Sequence, residues 1–194
     1  LVVAAASEEG GVVTNGMSHY SRASGIANSA LVVNVNPEDC GSEVLSGIAF
    51  QRHYEQLAFQ CGGANYQAPV QTVGHFLTGM ATAAYLTVPS YRPGVRDAEL
   101  KKCLPDFVTA TLAQALPDFD RKIKGFGQPG AVMTGVETRT SAPVRLKRDE
   151  NYLSINVGGL YPIGEGAGYA GGIMSAALDG LHAAAAVIRK YTSR

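Results

Sequence analysis

The chain has 194 residues, 46% of them hydrophobic, and its 16 basic and 16 acidic side chains leave no formal net charge. A chain of this length can bury a core of ordinary size in one domain or in two closely packed lobes. The balanced charge provides no overall field for nucleic acid or an anionic membrane, and no apolar run of about 18 residues predicts a membrane span. The composition therefore favours a soluble globular protein.

Residues 1–35 are predicted to form strands joined by loops. Residues 2–6 and 12–17 are short apolar runs on either side of SEEGG, a composition typical of a hairpin connection. The polar stretch 20–28 predicts a loop, and the β-branched run 30–35 predicts another strand. The opening LVVAAAS lacks both a Met and the charged segment of a signal peptide. We expect it to be part of a buried strand in a processed or longer protein.

The middle of the chain is predicted to be mainly helical, from residue 47 to residue 125. A helix is expected over 48–61, ended by Gly62 and Gly63, because its apolar residues recur on one helical face: Phe50, Tyr54, Leu57, Ala58 and Cys61. Helical segments are also predicted over 97–103 and, after Pro105, over 106–116. In the latter, the residues expected to face inward are Phe107, Leu112 and Leu116, and Pro117 is expected to begin a new turn.

The last third of the chain returns to strands before one long helix. Strands are predicted over 131–137, 151–157 and 160–163. The helix after them carries a continuous apolar stripe, which we expect to be buried: Ile173, Met174, Ala177, Leu178, Leu181, Ala184, Ala185 and Ile188. This order of elements is typical of an α/β fold with an inserted α+β lobe.

Two functional regions are predicted from that order. Residues 1–150 are assigned to the inserted α+β lobe, which would bind substrate and would include a return strand over 131–145. Residues 151–194 are assigned to a C-terminal strand and helix that complete a ligand-binding domain.

The segment YPIGEGAGYAGG, residues 161–172, is the strongest functional signal. Its glycines let the backbone approach a ligand closely, and the helix that follows offers free N–H groups and a positive dipole end. Glu165 is placed to accept hydrogen bonds from ligand hydroxyl groups, or instead to cap the helix. The segment could also be only a tight connection between a strand and a helix. No Gly-Lys-Ser/Thr sequence follows, which argues against a P-loop, and a GxGxxG fingerprint is only loosely approached.

Several segments of the chain resemble one known family. YPIGEGAGYAGGIMSAALDG resembles the C-terminal flavin-binding segment of the uncharacterised FAD-dependent dehydrogenases, relatives of the two-dinucleotide-binding flavoproteins. Four further segments resemble the same family in the same order: VVAAASEEGGVVTNGMSHYSR, ANSALVVNV, FQRHYEQLAFQCGGANYQAPVQTVGHFL and GVETRTSAPVRL. The resemblance therefore covers nearly the whole chain.

The resemblance implies the C-terminal portion of a glutathione-reductase-like FAD/NAD(P)-binding fold without its N-terminal GxGxxG segment. It implies that FAD is the cofactor, that Glu165 binds its ribitol, and that residues 168–173 lie at the pyrimidine edge of the isoalloxazine ring. Arg139, Ser141 and Arg145 resemble the motif that approaches the flavin from the substrate lobe, although they could belong to a solvated loop. The implied cofactor-binding residues are Gly164, Glu165, Gly166, Ala167, Gly168, Tyr169, Ala170, Gly171, Gly172, Ile173, Arg139 and Ser141.

Other residues give weaker chemical signals. The four histidines lack the spacing of metal ligands, so no metal site is predicted. His19 and Arg139 are weak catalytic candidates, and Tyr66 and Tyr169 lie in glycine-rich surroundings where an aromatic ring could stack on a flavin. Cys61 is expected to be a core residue with no second cysteine nearby. The three cysteines form no CxxC pair, which favours reduced thiols in the cytoplasm, an organelle matrix or a stroma.

Three functions are compatible with these signals. The resemblance implies an FAD-dependent oxidoreductase, with hydride transfer through the flavin, once a longer parent protein is considered. The alternative is a non-catalytic subunit or interaction module of a larger assembly that keeps a flavoprotein scaffold. A nucleotide-binding protein without redox chemistry is the third reading, and the absence of a phosphate-binding lysine in the glycine-rich segment argues against it.

Overall fold

The protein is described by a computed structural model covering residues 1–6, 8–81 and 84–192. It has a mixed α/β architecture with two small sheets and two compact units. The first unit consists of Leu1–Asp39 and Phe50–Thr138, and the second of Cys40–Ala49 and the chain from Arg139 onward. The predicted division at residue 150 is a functional one and stays a prediction.

The first unit begins with the expected hairpin. Strand β1 (Val2–Ala6) pairs antiparallel with β2 (Val13–Gly16), and Gly10 adopts φ +69° in the connection. Ser7, which belongs to the same predicted connection, lies outside the described residues. The predicted strand over 30–35 is wrong, because these residues form neither strand nor helix. Val32 and Val35 are 54% and 43% exposed, so their β-branched side chains gain too little packing to hold a strand there.

A three-stranded sheet forms the centre of the first unit. Strand β3 (Ala68–Thr72) is buried throughout and lies between β4 (Val95–Asp97), which is parallel to it, and β5 (Val132–Thr134), which is antiparallel. The predicted strand over 131–137 is thus confirmed only at residues 132–134. The core of buried residues beside this sheet consists of Val12, Ala58, Ala68, Tyr91, Leu100, Cys103 and Val136.

The helices begin with the short α1 (Pro37–Cys40) and the long α2 (Ser46–Cys61), followed by α3 (Val73–Thr78). The prediction of α2 is confirmed, and Gly63 supplies the expected positive φ, +98°, after its end. Its buried residues are Ala58 and Glu55. The Glu55 carboxylate accepts a 2.8 Å hydrogen bond from the Thr138 hydroxyl, which explains how an acidic side chain is tolerated there.

Helix α4 (Asp106–Lys122) follows a single 3₁₀ turn at Leu100–Lys102. The helix predicted over 97–103 is therefore reduced to that turn, because β4 already uses residues up to Asp97. Pro117 lies inside α4 and does not start a new turn. The buried side chains of α4 are Val108, Leu112 and Leu116, and Phe107 is 37% exposed, so the inward face is rotated from the predicted one.

The second unit contains helix α5 (Ile173–Thr192) and long irregular segments. The strands predicted over 151–157 and 160–163 are wrong, since only an isolated bridge joins Arg148 and Ser154. A strand needs a neighbour to satisfy its backbone groups, and within the described part of the chain none pairs with these residues. Helix α5 is confirmed, although Ser193 and Arg194, at the end of the predicted C-terminal region, lie outside the described residues.

Candidate functional site

The glycine-rich turn, defined as residues 161–172, is fixed by its own backbone. The Gly168 N–H donates to the Glu165 carbonyl at 2.9 Å, and the Tyr169 N–H donates to the Gly164 carbonyl at 3.0 Å. Gly168 has φ +82°, and a Cβ at this position would lie 2.4 Å from the carbonyl oxygen of Val144. Only glycine fits this position, because both the backbone angle and the space exclude a side chain.

A salt bridge between Arg148 and Asp179 anchors the glycine-rich turn to α5. The guanidinium donates to both carboxylate oxygens, at 2.6 and 2.9 Å, and also to the Pro162 carbonyl at 2.8 Å. The Gly164 N–H donates to the same carboxylate at 2.8 Å. The two side chains are only 11% and 12% exposed. This bidentate pair therefore ties residues 162–164, at the start of the glycine-rich turn, to α5.

The salt bridge changes the acidity of both partners. Hydrogen bonds from Arg148, helped by the Gly164 N–H, lower the pKa of Asp179 to about 2, although burial opposes the shift. The hydrogen bond to Asp179 raises the pKa of Arg148 above its ordinary value. Asp179 therefore stays ionised over the whole neutral range and is not a proton donor.

The Arg148 guanidinium also contacts two tyrosine rings. Its central carbon lies 3.6 Å from the centroid of Tyr169 and 4.3 Å from that of Tyr152. The Tyr169 hydroxyl donates to the Leu146 carbonyl at 3.0 Å. Tyr169, predicted as a stacking partner for a flavin, thus has one contact surface occupied by Arg148 and its hydroxyl committed to the backbone.

The structure brings only some of the predicted site residues together. The Arg145 side chain donates to the Gly168 carbonyl at 2.9 Å, so it contacts the glycine-rich turn directly. Arg139 and Ser141 are exposed in the segment leading to it. His19, a weak catalytic candidate, is exposed in the first unit, in an irregular segment where its carbonyl accepts from the Arg22 N–H.

At the start of α5, backbone N–H groups without an acceptor lie close in sequence to glycines that have free space around them. Within the described chain, no acceptor is found for the N–H groups of Ile173, Met174 and Ser175, and the first helical bond runs from Ala176 to Gly172. In the part of the chain that the structure describes, no atom lies within 4 Å of a Cβ built at Gly166 or Gly171. Other predicted members, Ala167, Ala170 and Gly172, are more enclosed than these two glycines. A ligand can therefore approach the backbone here without meeting a side chain.

The Glu165 side chain is exposed within the glycine-rich turn. Its carboxylate makes no hydrogen bond or ion pair within the described ranges 1–6, 8–81 and 84–192, so the helix-capping alternative gains no support. The Tyr161 hydroxyl, at the start of the same turn, is buried and without a hydrogen-bond partner among the described residues. The Glu165 carboxylate and the Tyr161 hydroxyl, both in the turn, thus have no hydrogen-bond partner among the described residues.

Helix α5 is oriented differently from the prediction. Its buried side chains are Ala183 and Ala186, which share a face with Asp179. The large apolar residues of the predicted inward stripe are exposed, and they are Ile173, Met174, Leu178, Leu181 and Ile188, at 90%, 72%, 51%, 66% and 59%. We call these five residues the apolar face of α5. The small side chains and the salt bridge decide which side is buried.

Arg148 and Asp179 are the site residues that sequence reasoning missed. Asp179 is the one acidic residue in the sequence of α5 and lies opposite its apolar stripe, which is the available signal that this side of the helix makes a polar contact. Its partner lies 31 residues earlier in the chain, so no local pattern identifies Arg148.

Among the described residues, no group of three or more His, Cys, Asp or Glu side chains is placed to hold a metal ion. None of the helices in the described ranges is long and apolar enough to cross a membrane.

Comparisons with known proteins identify the family of the chain, and the family match ends before the glycine-rich turn begins. The family model described as FAD-dependent protein, C-terminal domain-like, matches residues 1–140. An uncharacterised protein of Clostridium beijerinckii is 56% identical over 193 residues, which is 98% of this chain and 36% of that relative. The chain therefore spans about a third of the length of this relative. Because the family model covers well over half of the sequence, the chain belongs to the family of FAD-dependent proteins, C-terminal domain-like.

Proposed function

We propose that this chain is the C-terminal part of an FAD-dependent oxidoreductase of the two-dinucleotide-binding, glutathione-reductase-like kind. In this proposal the glycine-rich turn and the start of α5 contact the flavin ring and ribitol. The rest of the polypeptide, represented by the remaining length of the relative, contacts the ADP half. When bound, FAD supplies the hydride chemistry, and the protein supplies orientation, electrostatics and exclusion of water.

The open backbone at the start of α5 carries this proposal. The N–H groups of Ile173, Met174 and Ser175, which have no acceptor among the described residues, lie at the positive end of a 20-residue helix. Donors of this kind stabilise negative charge, which a flavin ring gains on its pyrimidine edge when it is reduced. Gly166 and Gly171 leave the space that a flat ring needs to approach the backbone.

The polar groups around the glycine-rich turn fit a hydroxylated ligand. The exposed Glu165 carboxylate accepts hydrogen bonds from hydroxyl groups, as the ribitol chain of FAD offers. The buried Tyr161 hydroxyl lacks a partner among the described residues, and such a group costs about 1 to 3 kcal/mol unless a partner satisfies it. We assign to Arg139 and Ser141 the side of the flavin that faces the substrate.

The proposed role of Glu165 predicts that its replacement weakens FAD binding, whereas a control substitution in α5 does not. In the full-length protein, Glu165→Ala is expected to weaken FAD binding by about 1 to 3 kcal/mol, the worth of a hydrogen bond to a charged group. His182→Ala is the control, because His182 is an exposed residue of α5 outside the glycine-rich turn. Fluorescence titration of the apoprotein with FAD measures both. Equal affinities for FAD in the two variants would remove the ribitol role.

The apolar face of α5 predicts a second packing surface in the full-length protein. Its occupant in this proposal is the dinucleotide-binding portion of the same polypeptide, because the relative extends far beyond the matched region. Leu181→Lys is then expected to destabilise the full-length protein by about 2 kcal/mol, since a buried lysine loses its hydration.

A neighbouring residue provides the matched control for that surface. His182 is exposed and lies outside the apolar face, so His182→Lys should change the free energy of unfolding by about 0.5 kcal/mol or less. Urea unfolding of the two variants measures the difference. If both lysines are tolerated equally, α5 remains uncovered in the whole protein and the packing proposal fails.

The absorbance spectrum of the full-length protein tests the proposed cofactor. We expect bound flavin to absorb in the visible range in the purified protein or after reconstitution with FAD. If no flavin absorbance appears even after reconstitution, the oxidoreductase proposal is wrong. That result would favour the alternative, a non-catalytic module in a larger assembly, in which the apolar face of α5 would serve as an interaction surface.

A further inference from the structure

Residues 29–35, which we call the unpaired segment, have backbone hydrogen-bonding groups without a partner. Among the described residues, none of their N–H groups donates a hydrogen bond and none of their carbonyl groups accepts one. The segment belongs to no helix or strand, and none of its residues has a positive φ. Its backbone groups are therefore available to pair with another strand.

Both ends of the unpaired segment are held in place. Before it, the Asn28 side chain donates to the Met17 carbonyl at 3.0 Å, just after β2. After it, the Asn36 N–H donates to the Asp39 carboxylate at 2.8 Å, where α1 begins. Because both ends are held, less conformational entropy is lost when the segment is ordered against a partner.

The side chains of the unpaired segment suit a strand. Val32, Val33 and Val35 are β-branched. Burial alternates along the segment, since Leu31 and Val33 are half-buried whereas Val32 is 54% exposed. At about 3.3 Å per residue the segment spans about 23 Å, which is an ordinary length for a strand.

The sequence around the unpaired segment does not protect it from pairing with other chains. Exposed strand edges in natural proteins are usually protected by charged side chains, prolines or bulges. From residue 23 to residue 36 the sequence has neither a charged residue nor a proline. Short uncharged stretches of high β propensity are also the ones that aggregate when they are uncovered. This composition indicates that the segment is covered in the full-length protein.

We propose that the unpaired segment adds as a strand to the edge of a sheet formed by the part of the polypeptide outside this structure. The match to the relative covers 98% of this chain but only 36% of the relative, which leaves ample chain for a partner strand. Pairing within one polypeptide covers the segment at every protein concentration, whereas pairing with a second copy does not. Because the segment is uncharged, we expect uncharged side chains opposite it on the partner strand.

Hydrogen exchange of the full-length protein without FAD tests this pairing. The inference rests on the longer polypeptide of the proposed function but requires no cofactor, so a failure to bind FAD leaves the result intact. Amides of the unpaired segment are expected to exchange about a hundredfold more slowly than those of residues 20–25, an exposed irregular stretch of the same unit. Exchange at the same rate in both stretches would overturn the proposal.

Dilution distinguishes the two sources of a partner strand. The exchange is measured at high and low protein concentration, and light scattering gives the molecular mass at each. We expect a monomer to keep the protection of the unpaired segment after dilution. Protection that is confined to a dimer and lost on dilution would show that a second copy covers the segment, and the proposal would be wrong.

Proline substitutions test the backbone pairing itself. Successive N–H groups of an edge strand point to opposite sides, so only one of Val32 and Val33 donates to the partner strand. We expect one of Val32→Pro and Val33→Pro to speed exchange of the unpaired segment about a hundredfold, and the other to have a much smaller effect.

Tyr20→Pro is the matched control for the two proline variants. Tyr20 is fully exposed and follows His19 in the turn closed by the hydrogen bond from the Arg22 N–H to the His19 carbonyl, a position that proline favours. This variant should leave exchange of the unpaired segment unchanged. If neither Val32→Pro nor Val33→Pro differs from Tyr20→Pro, the segment is not paired. Exchange in the unmodified protein decides the question even where a proline variant fails to fold.

Discussion

Replacement of Asp179 by alanine is expected to lower the free energy of unfolding of the protein by about 3 to 4 kcal/mol. The substitution leaves Arg148, which is 11% exposed, without its carboxylate, and it leaves the Gly164 N–H without its acceptor. Removing one partner of a mostly buried pair costs more than the pair contributes, because the remaining charge has lost its hydration. Guanidinium unfolding followed by circular dichroism measures the change.

Glu150→Ala is the matched control for the Asp179 substitution. Glu150 is an exposed carboxylate two residues from Arg148, and its loss should change the free energy of unfolding by about 0.5 kcal/mol or less. The amide of Gly164 should also exchange faster with solvent in Asp179→Ala, since it no longer donates to a carboxylate. Similar unfolding free energies in the two variants would show that the salt bridge does not anchor the glycine-rich turn.

The salt bridge between Arg148 and Asp179 predicts that the protein loses stability in acid. The pKa of Asp179 is about 2 in the folded protein, against an ordinary value of 3.8. Because the folded-state pKa is depressed, this contribution is fully present above about pH 4 and is lost as the pH falls toward about 2. Between these limits the unmodified protein should lose about 2 kcal/mol more than Asp179→Asn. Parallel acid dependences in the two proteins would contradict the assignment.

Gly171→Val is expected to weaken FAD binding by about 3 kcal/mol, which is roughly a hundredfold or more, without unfolding the protein. Among the described residues, no atom lies within 4 Å of a Cβ at Gly171, so the fold itself accommodates the new side chain. A flavin ring that lies against this backbone would collide with it. Isothermal titration of the apoprotein with FAD gives the affinity, and circular dichroism reports the fold.

Gly158→Val is the control, because it makes the same glycine-to-valine change elsewhere in the chain. Gly158 is exposed in the same unit and has equally open space around a Cβ, but it lies outside the glycine-rich turn. Its replacement should leave the affinity for FAD unchanged. If Gly171→Val binds FAD as tightly as Gly158→Val, the flavin does not approach the start of α5.

Local patterns were sufficient to predict α2, the first part of α4, α5 and the first hairpin. In α2 and α5 the apolar residues repeat with helical spacing over many residues, and propensity and periodicity agree. The hairpin of β1 and β2 needs only a neighbour a few residues away. Such elements depend on information within one short stretch of sequence.

The wrong strands depended on partners that a local pattern does not reveal. Residues 30–35 and 151–157 have β-like composition, but strand formation also requires a second strand at the correct distance and register. Within the described part of the chain, neither segment has such a neighbour. Composition alone therefore overestimated the number of strands.

The glycine-rich turn and the start of α5 were predicted from the sequence, whereas the side chains that support them were not, and the role of the turn in cofactor binding stays a prediction. The glycines and the start of α5 were found because unusual backbone chemistry leaves a clear trace in sequence. The predicted buried face of α5 was wrong. Hydrophobicity favours the burial of leucine over alanine, but close packing at Ala183 and Ala186 favours small side chains. Arg148 and Asp179 meet only through the tertiary fold.

Hydrogen exchange of the full-length protein with and without FAD tests the central claim most directly. The amides of Gly171 to Ser175 should become strongly protected when FAD is added, because the cofactor would cover the open backbone at the start of α5. Amides in the middle of α4 serve as an internal reference and should not change. FAD binding that leaves the exchange of residues 171–175 unaltered would contradict the proposal that this turn holds the flavin.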